Sequence, residues 1–155
     1  MIVTYIRRMF NHSFSKEWYE TYWAIDLHGT IIKPNYKDVN YPAEYYPYAK
    51  KALQMLSKRP DIKLILFTSS YPHEIEQYLE KFKIDEILFD AVNENPGISS
   101  NNGNFGFYEK KFYFNVMIED KAGFDPETEW EQLFYYLEWC EDRKYLPNPN
   151  WTTKY

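Results

Sequence analysis

Tyr22-Trp23-Ala24-Ile25-Asp26-Leu27-His28-Gly29-Thr30-Ile31-Ile32 decides how this chain folds. Apolar residues run into an acid, and a glycine and a hydroxyl follow it. A run of this kind reads as a strand buried on both faces, as in a parallel sheet. Parallel sheets bring their strand ends to one edge, and ligands bind there. Asp26 is therefore a candidate nucleophile or metal ligand, and the other candidates are judged by whether they reach it.

A second apolar run, Ile62-Lys63-Leu64-Ile65-Leu66-Phe67, ends in Thr68-Ser69-Ser70. A third strand is expected around residues 86–90 and a fourth over 114–119. Helices are expected between them. Ala49, Ala52, Leu53 and Leu56 give one apolar face near 43–58, stopped by Arg59-Pro60. Pro72 suits the first turn of the next helix, with Ile75, Tyr78, Leu79 and Phe82 inward. Asp125-Pro126 opens a last helix with Trp130, Leu133, Phe134, Leu137 and Cys140 on one face. Residues 33–47 and 93–109 read as loops by composition. Residues 1–20 show no clear period and predict an edge strand or an arm, and 143–155 a tail. The alternation predicts an α/β three-layer Rossmannoid domain with a mainly parallel sheet and no large cap domain. The expected organisation is a single domain over 1–155, with its core at 22–140.

Composition bounds the function. The chain has 155 residues, enough for one sizeable core. Its 18 basic and 23 acidic residues give a net charge of −5, which argues against a generic nucleic-acid footprint. The single cysteine, Cys140, cannot form an internal disulfide and reads as a buried apolar residue. No apolar run reaches membrane-spanning length, so the expectation is a soluble, cytoplasmic protein with no membrane partner. The 16 tyrosines include Tyr36, Tyr41, Tyr45, Tyr46 and Tyr48 in one loop. They read as packing residues before they read as a stacking surface.

The strand ends then make a constellation. The first offers Asp26, with His28 and Thr30 just beyond it. The second offers Thr68 and Ser69, and the fourth Glu119 and Asp120. Lys110 and Lys111 precede the fourth strand. Close carboxylates repel and raise one another's pKa. A divalent cation relieves that repulsion, and Mg²⁺ suits a few carboxylates with room left for phosphate oxygens. Thr68 and Lys111 would hold the remaining phosphate oxygens.

In that order the residues resemble the haloacid dehalogenase-like superfamily. Asp26-Leu27-His28-Gly29-Thr30 is similar to its first motif, Asp-x-Asp-Gly-Thr after an apolar strand. Leu64-Ile65-Leu66-Phe67-Thr68-Ser69 is similar to the second, Lys111 to the third-motif lysine, and Val116-Met117-Ile118-Glu119-Asp120 to the acidic fourth. The resemblance covers about residues 22–140. Phe89–Pro96 and Ile118–Phe124 also look like a small capless subgroup of bacterial and phage hydrolases. The resemblance implies a Mg²⁺-dependent phosphatase. Asp26 would form an aspartyl-phosphate. Asp120, with Asp26 and the main-chain carbonyl of His28, would bind the metal, with Glu119 as the alternative acid. Thr68 and Lys111 would neutralise the phosphoryl group, and Thr30, Ser69 and Lys110 would border the substrate. A phosphorylated small molecule or a nucleic-acid end is the implied substrate.

His28 departs from that pattern, because phosphatases of the family usually carry aspartate there. An imidazole, with an unperturbed pKa of ~6.5, serves general acid–base chemistry near neutral pH. Two other outcomes follow from the same departure: a phosphotransferase, or a degenerate domain that only binds. A receiver-like phosphoacceptor uses similar groups but places its acidic pair before the phosphorylated aspartate, whereas Glu119-Asp120 comes last. His12 and His73 read as surface residues, and Asp125 as a helix cap.

Overall fold

A computed structural model describes residues 1–34, 43–97 and 112–142. Strands β1 (Thr21–Ile25), β2 (Ile62–Leu66), β3 (Ala91–Val92) and β4 (Val116–Ile118) form one sheet in the order β3-β2-β1-β4. Every pairing is parallel, with Trp23 beside Leu64 and Val116, and Ile25 beside Leu66 and Ile118. Helices α1 (Ile2–Ser15), α2 (Ala49–Lys58), α3 (Pro72–Ile84) and α4 (Glu129–Asp142) complete it. This is the layout of a small Rossmann-like, three-layer α/β domain. No described helix is long and apolar enough to cross a membrane.

The burial pattern explains the strands. All five residues of β1 are buried. Trp23 and Ile25 join Leu64, Leu66, Val116 and Ile118 in the main core, while Tyr22, Ala24 and Ile65 are buried on the opposite face. Both faces are thus removed from water, so the strands carry apolar runs instead of alternation.

Residues 1–20 do not form an edge strand. Residues Ile2–Ser15 are a helix, with Ile2, Ile6, Met9, Phe10 and Ser13 buried. These positions recur at helical spacing, so α1 has one apolar stripe. Phe10 lies 6.1 Å from the Trp23 ring and beneath the Arg59 guanidinium, 4.7 Å away. Arg59 is itself locked to buried Asp61 by two hydrogen bonds of 2.8 and 2.9 Å. Tyr5 guards the open side of β4. Its hydroxyl accepts the Met117 N–H at 3.4 Å and donates to the Asn115 carbonyl at 3.3 Å. That occupies main-chain groups a foreign strand would otherwise use.

Two other boundaries move. The second helix begins at Ala49, not near 43, because Tyr48 takes a left-handed φ of 63° and the Tyr46 N–H bonds the Ile31 carbonyl. The third strand lies just past the expected stretch and is only two residues long, Ala91–Val92. In the expected stretch the Ile87 N–H turns back to Phe82, and Asp90 covers the β2 edge with its carboxylate, accepting the Leu64 N–H at 2.8 Å. Tyr45, Tyr46 and Tyr48 pack against the core. Tyr36, Tyr41, most of the 93–109 loop and the 143–155 tail lie outside the described residues.

Replacing Phe10 by alanine should cost about 3–5 kcal/mol, as for other large-to-small core changes. Phe14, half exposed on the same helix, should cost under about 0.5 kcal/mol. Urea unfolding of the two variants checks this, and equal small losses would mean that α1 is not part of the core.

Candidate functional site

The C-terminal ends of β1, β2 and β4 meet at one edge of the sheet. Asp26 directly follows β1, and its N–H bonds the Ile118 carbonyl at 3.0 Å. Glu119 and Asp120 directly follow β4, and a single 3-10 turn, Asp120–Ala122, carries the chain away. One oxygen from each of Asp26, Glu119 and Asp120 lies within 4.8 Å of the others. Beside them an open cavity of about 360 Å³ is lined by Asp26, Phe67, Thr68, Ser69, Asn93, Glu119 and Lys121.

Thr30 joins the two acidic strand ends. Its hydroxyl donates to Asp26 Oδ2 at 3.0 Å and accepts the Asp120 N–H at 3.0 Å. Its carbonyl accepts the Trp130 indole N–H at 2.7 Å. Thr30 is wholly buried and absent from the cavity lining, so it holds the site together, where the sequence reading had it border the substrate. Gly29 makes the approach feasible. Its φ is +85°, and a β-carbon there would sit 2.9 Å from Asp120 Oδ2.

The second strand end is held from the side. Asn93, itself at a left-handed φ of 53°, accepts the Thr68 N–H and donates to the Thr68 carbonyl, both at 2.8 Å. The Thr68 and Ser70 hydroxyls are 2.9 Å apart, and Ser70 Oγ is 3.2 Å from His28 Nδ1. The His28 ring also meets Tyr78 edge-on at 5.6 Å. His28 thus reaches the Thr68 wall through Ser70, and its ring is outside both the carboxylate cluster and the cavity lining.

The electrostatics follow from partial burial. Desolvation is the largest influence on Asp26 and pushes its carboxyl up, against the Thr30 hydrogen bond and the Lys121 charge. Glu119 is also pushed up, by desolvation and then by its pairing with Asp120. Desolvation acts upward on Asp120 too, but pairing with Glu119 and the Lys121 charge outweigh it and hold Asp120 below the usual range. Asp120 Oδ1 is buried and accepts no hydrogen bond from any described residue; Lys121 Nζ is 3.5 Å away. Three converging carboxylates with one unserved oxygen fit a hard divalent cation.

Lys110 and Lys111 fall outside the described residues. Among those described, the cation lining the cavity is Lys121, to which the sequence reading assigned no role. It stands next to Asp120, and that adjacency is the signal that marks it. Asn93, at the end of the third strand, lines the same cavity. Asp125 accepts the Glu127 N–H at 3.1 Å and the Thr128 hydroxyl at 2.6 Å, so it serves the turn before α4.

No protein-family model matches the chain, and no curated protein matches it. Its fold is similar to that of a conserved protein coded by a locus of Bacteroides thetaiotaomicron. The TM-score is 0.58 at 20% identity, covering 82% of this chain and 93% of that one. A likeness at that identity concerns the fold alone.

Two outcomes test this geometry. Because the Asp26 pKa is raised on folding, the folded protein binds more protons than the unfolded chain above the ordinary carboxylate pKa of 3.8, and stability falls as pH rises through that window. In metal-free solution Asp26→Asn should therefore be more stable than the native protein at neutral pH, with the advantage vanishing in acid. Denaturant titrations across pH measure it. Gly29→Ala should lose more stability than Gly97→Ala. Both sites are left-handed, at a cost of about 1–2 kcal/mol for alanine, but only Gly29 also faces Asp120.

Proposed function

We propose that the protein is a Mg²⁺-dependent phosphohydrolase of the haloacid dehalogenase-like type, acting on a phosphomonoester. The observation that carries this reading is the convergence of Asp26, Glu119 and Asp120 beside a cavity that Asp26, Glu119, Thr68 and Ser69 line together. Asp26 is the nucleophile. One of its oxygens is engaged by Thr30, which orients the carboxylate. Attack on phosphorus forms an aspartyl-phosphate and releases the alcohol, and water then cleaves the acyl-phosphate to regenerate Asp26.

Asp26, Asp120 and Glu119 would hold the cation, which would supply positive charge to offset the carboxylates and the phosphate oxygens. The Thr68 and Ser69 hydroxyls and the Lys121 ammonium bind the phosphoryl oxygens. Asn93 fixes the Thr68 main chain and so sets the position of its hydroxyl. His28 supplies the leaving-group proton through the Ser70 and Thr68 hydroxyls. An open site of this size suits a phosphorylated small molecule or an exposed nucleic-acid end.

A second reading is favoured by one observation, that the His28 ring lies outside the cavity lining. Under it the domain binds a phosphorylated ligand without turnover, or passes the phosphoryl group to another acceptor.

The deciding assay measures phosphate release from an aryl phosphate, nucleotides, sugar phosphates and end-phosphorylated oligonucleotides. Native protein with Mg²⁺ should be active, chelation should abolish release, and so should Asp26→Asn. Equal residual rates in native and Asp26→Asn protein would sink the nucleophile assignment. His28→Ala should reduce turnover by about 10²–10⁴-fold if the imidazole does acid–base work. If His28→Asp instead raises turnover, the binding-only reading is the better one.

A further inference from the structure

A second cavity lies at the other end of the sheet. It measures about 480 Å³ and is lined by Tyr5, Arg8, Met9, His12, Trp18, Tyr113, Phe114 and Asn115. Asn115 sits at the start of β4, where it pairs with the first residues of β1: its N–H bonds the Tyr22 carbonyl at 2.8 Å and its side chain accepts the Tyr22 N–H at 2.7 Å. The carboxylate cluster sits at the far end of the same two strands, so this cavity belongs to a separate place on the molecule.

Three features of the lining stand together. First, four of its residues are aromatic, and Tyr5 and Phe114 each keep 40% of their surface exposed instead of packing inward. Second, Arg8 and His12 are one helical turn apart on α1, so both reach the same side of the cavity. Among the described residues Arg8 forms no salt bridge. Third, no carboxylate lines the cavity, in a chain whose net charge is −5. The other polar side chains are already engaged: Asn115 with Tyr22 and the Tyr113 hydroxyl, and Tyr5 with the edge of β4. The His12 ring rests on Trp18 at 5.2 Å, which holds the indole on the side of the cavity that Arg8 also lines.

We infer that this cavity binds a planar aromatic ligand carrying a negative charge. Its volume falls in the range of small-molecule sites, about 300–1,000 Å³, which are largely apolar with a few placed polar groups. The ring lies against Trp18 and its aromatic neighbours. The anion is taken by Arg8, whose planar fork matches phosphate and carboxylate oxygens, with His12 beside it. The absence of lining carboxylates selects an anion over a neutral or cationic ring. A nucleoside monophosphate and an indole carboxylate both carry this chemistry.

Isothermal titration of the whole chain with adenosine monophosphate, adenosine, indole-3-acetate and inorganic phosphate tests the inference. At least one of the two ring-bearing anions should bind. Adenosine and phosphate alone should each bind at least tenfold more weakly than adenosine monophosphate wherever that is the ligand. Which anion wins identifies phosphate or carboxylate as the source of charge. Arg8→Ala should weaken the anion at least tenfold, Arg8→Lys should restore part of it, and raising the salt concentration should weaken native protein but not Arg8→Ala. Trp18→Leu should weaken binding similarly, with Trp18→Phe retaining more, and circular dichroism shows whether each variant is folded. Titrated with chelator in place of Mg²⁺, so that the phosphohydrolase site is not engaged, Asp26→Asn should bind as the native protein does, which separates this cavity from the phosphohydrolase reading. Binding of neither anion, binding indifferent to Arg8 and Trp18, or binding lost with Asp26→Asn would overturn it.

Discussion

The Thr30 hydroxyl ties the ends of two strands into one site. It donates to Asp26 after β1 and accepts from the main chain of Asp120 after β4, each at 3.0 Å. A buried hydroxyl has one proton to give and lone pairs to receive, so both contacts are made without leaving an orphan. The next link runs outward. The Thr30 carbonyl is taken by the buried Trp130 indole, which places the packing of α4 behind the acidic cluster. The link inward is Gly29, where any side chain would press on Asp120. Helix, turn and strand ends are therefore positioned by a single short chain of contacts.

The same arrangement stores electrostatic tension. Three carboxylates within 4.8 Å would each prefer water or a cation. The protein meets part of that demand through the Thr30 hydroxyl and the Lys121 ammonium. Asp120 Oδ1 still has no hydrogen bond. A fold selected for stability alone would have little reason to hold such a cluster at a cavity wall. The raised Asp26 pKa has the same origin, burial acting against charge.

Much of this was legible because the strands carry unbroken apolar runs and the chemical residues follow them directly. Asp26, Thr68 and Asp120 each stand just after such a run, and parallel pairing brings them to one edge. The helix α1 was harder to read. Its inward stripe of Ile2, Ile6, Met9, Phe10 and Ser13 is helical, but Val3, Thr4, Tyr5 and Phe14 lie between these positions and blur the contrast. The third strand misled because Ile87 is buried by a turn instead of a ladder. Side-chain direction was the other blind spot. Sequence order puts His28 nearer to Asp26 than Thr30, yet the turn sends the Thr30 hydroxyl to the carboxylates and the His28 ring toward Ser70 and Tyr78.

The sheet also separates charge along its own axis. At the C-terminal edge, acids gather and Lys121 is their local counter-charge. At the N-terminal edge, Arg8 and His12 stand among aromatic rings with no lining acid. Net charge cannot register this, because it sums over the whole chain and carries no position. The cause lies in how α1 is mounted. Its apolar stripe faces the core, which leaves Tyr5, Arg8 and His12 along its flank beside β4. Tyr5 then occupies the exposed strand edge, so the flank is closed to another strand while remaining open to a flat ligand. The helix that seals the sheet against strand addition is thereby the one that furnishes a basic aromatic surface, and one packing decision serves both ends.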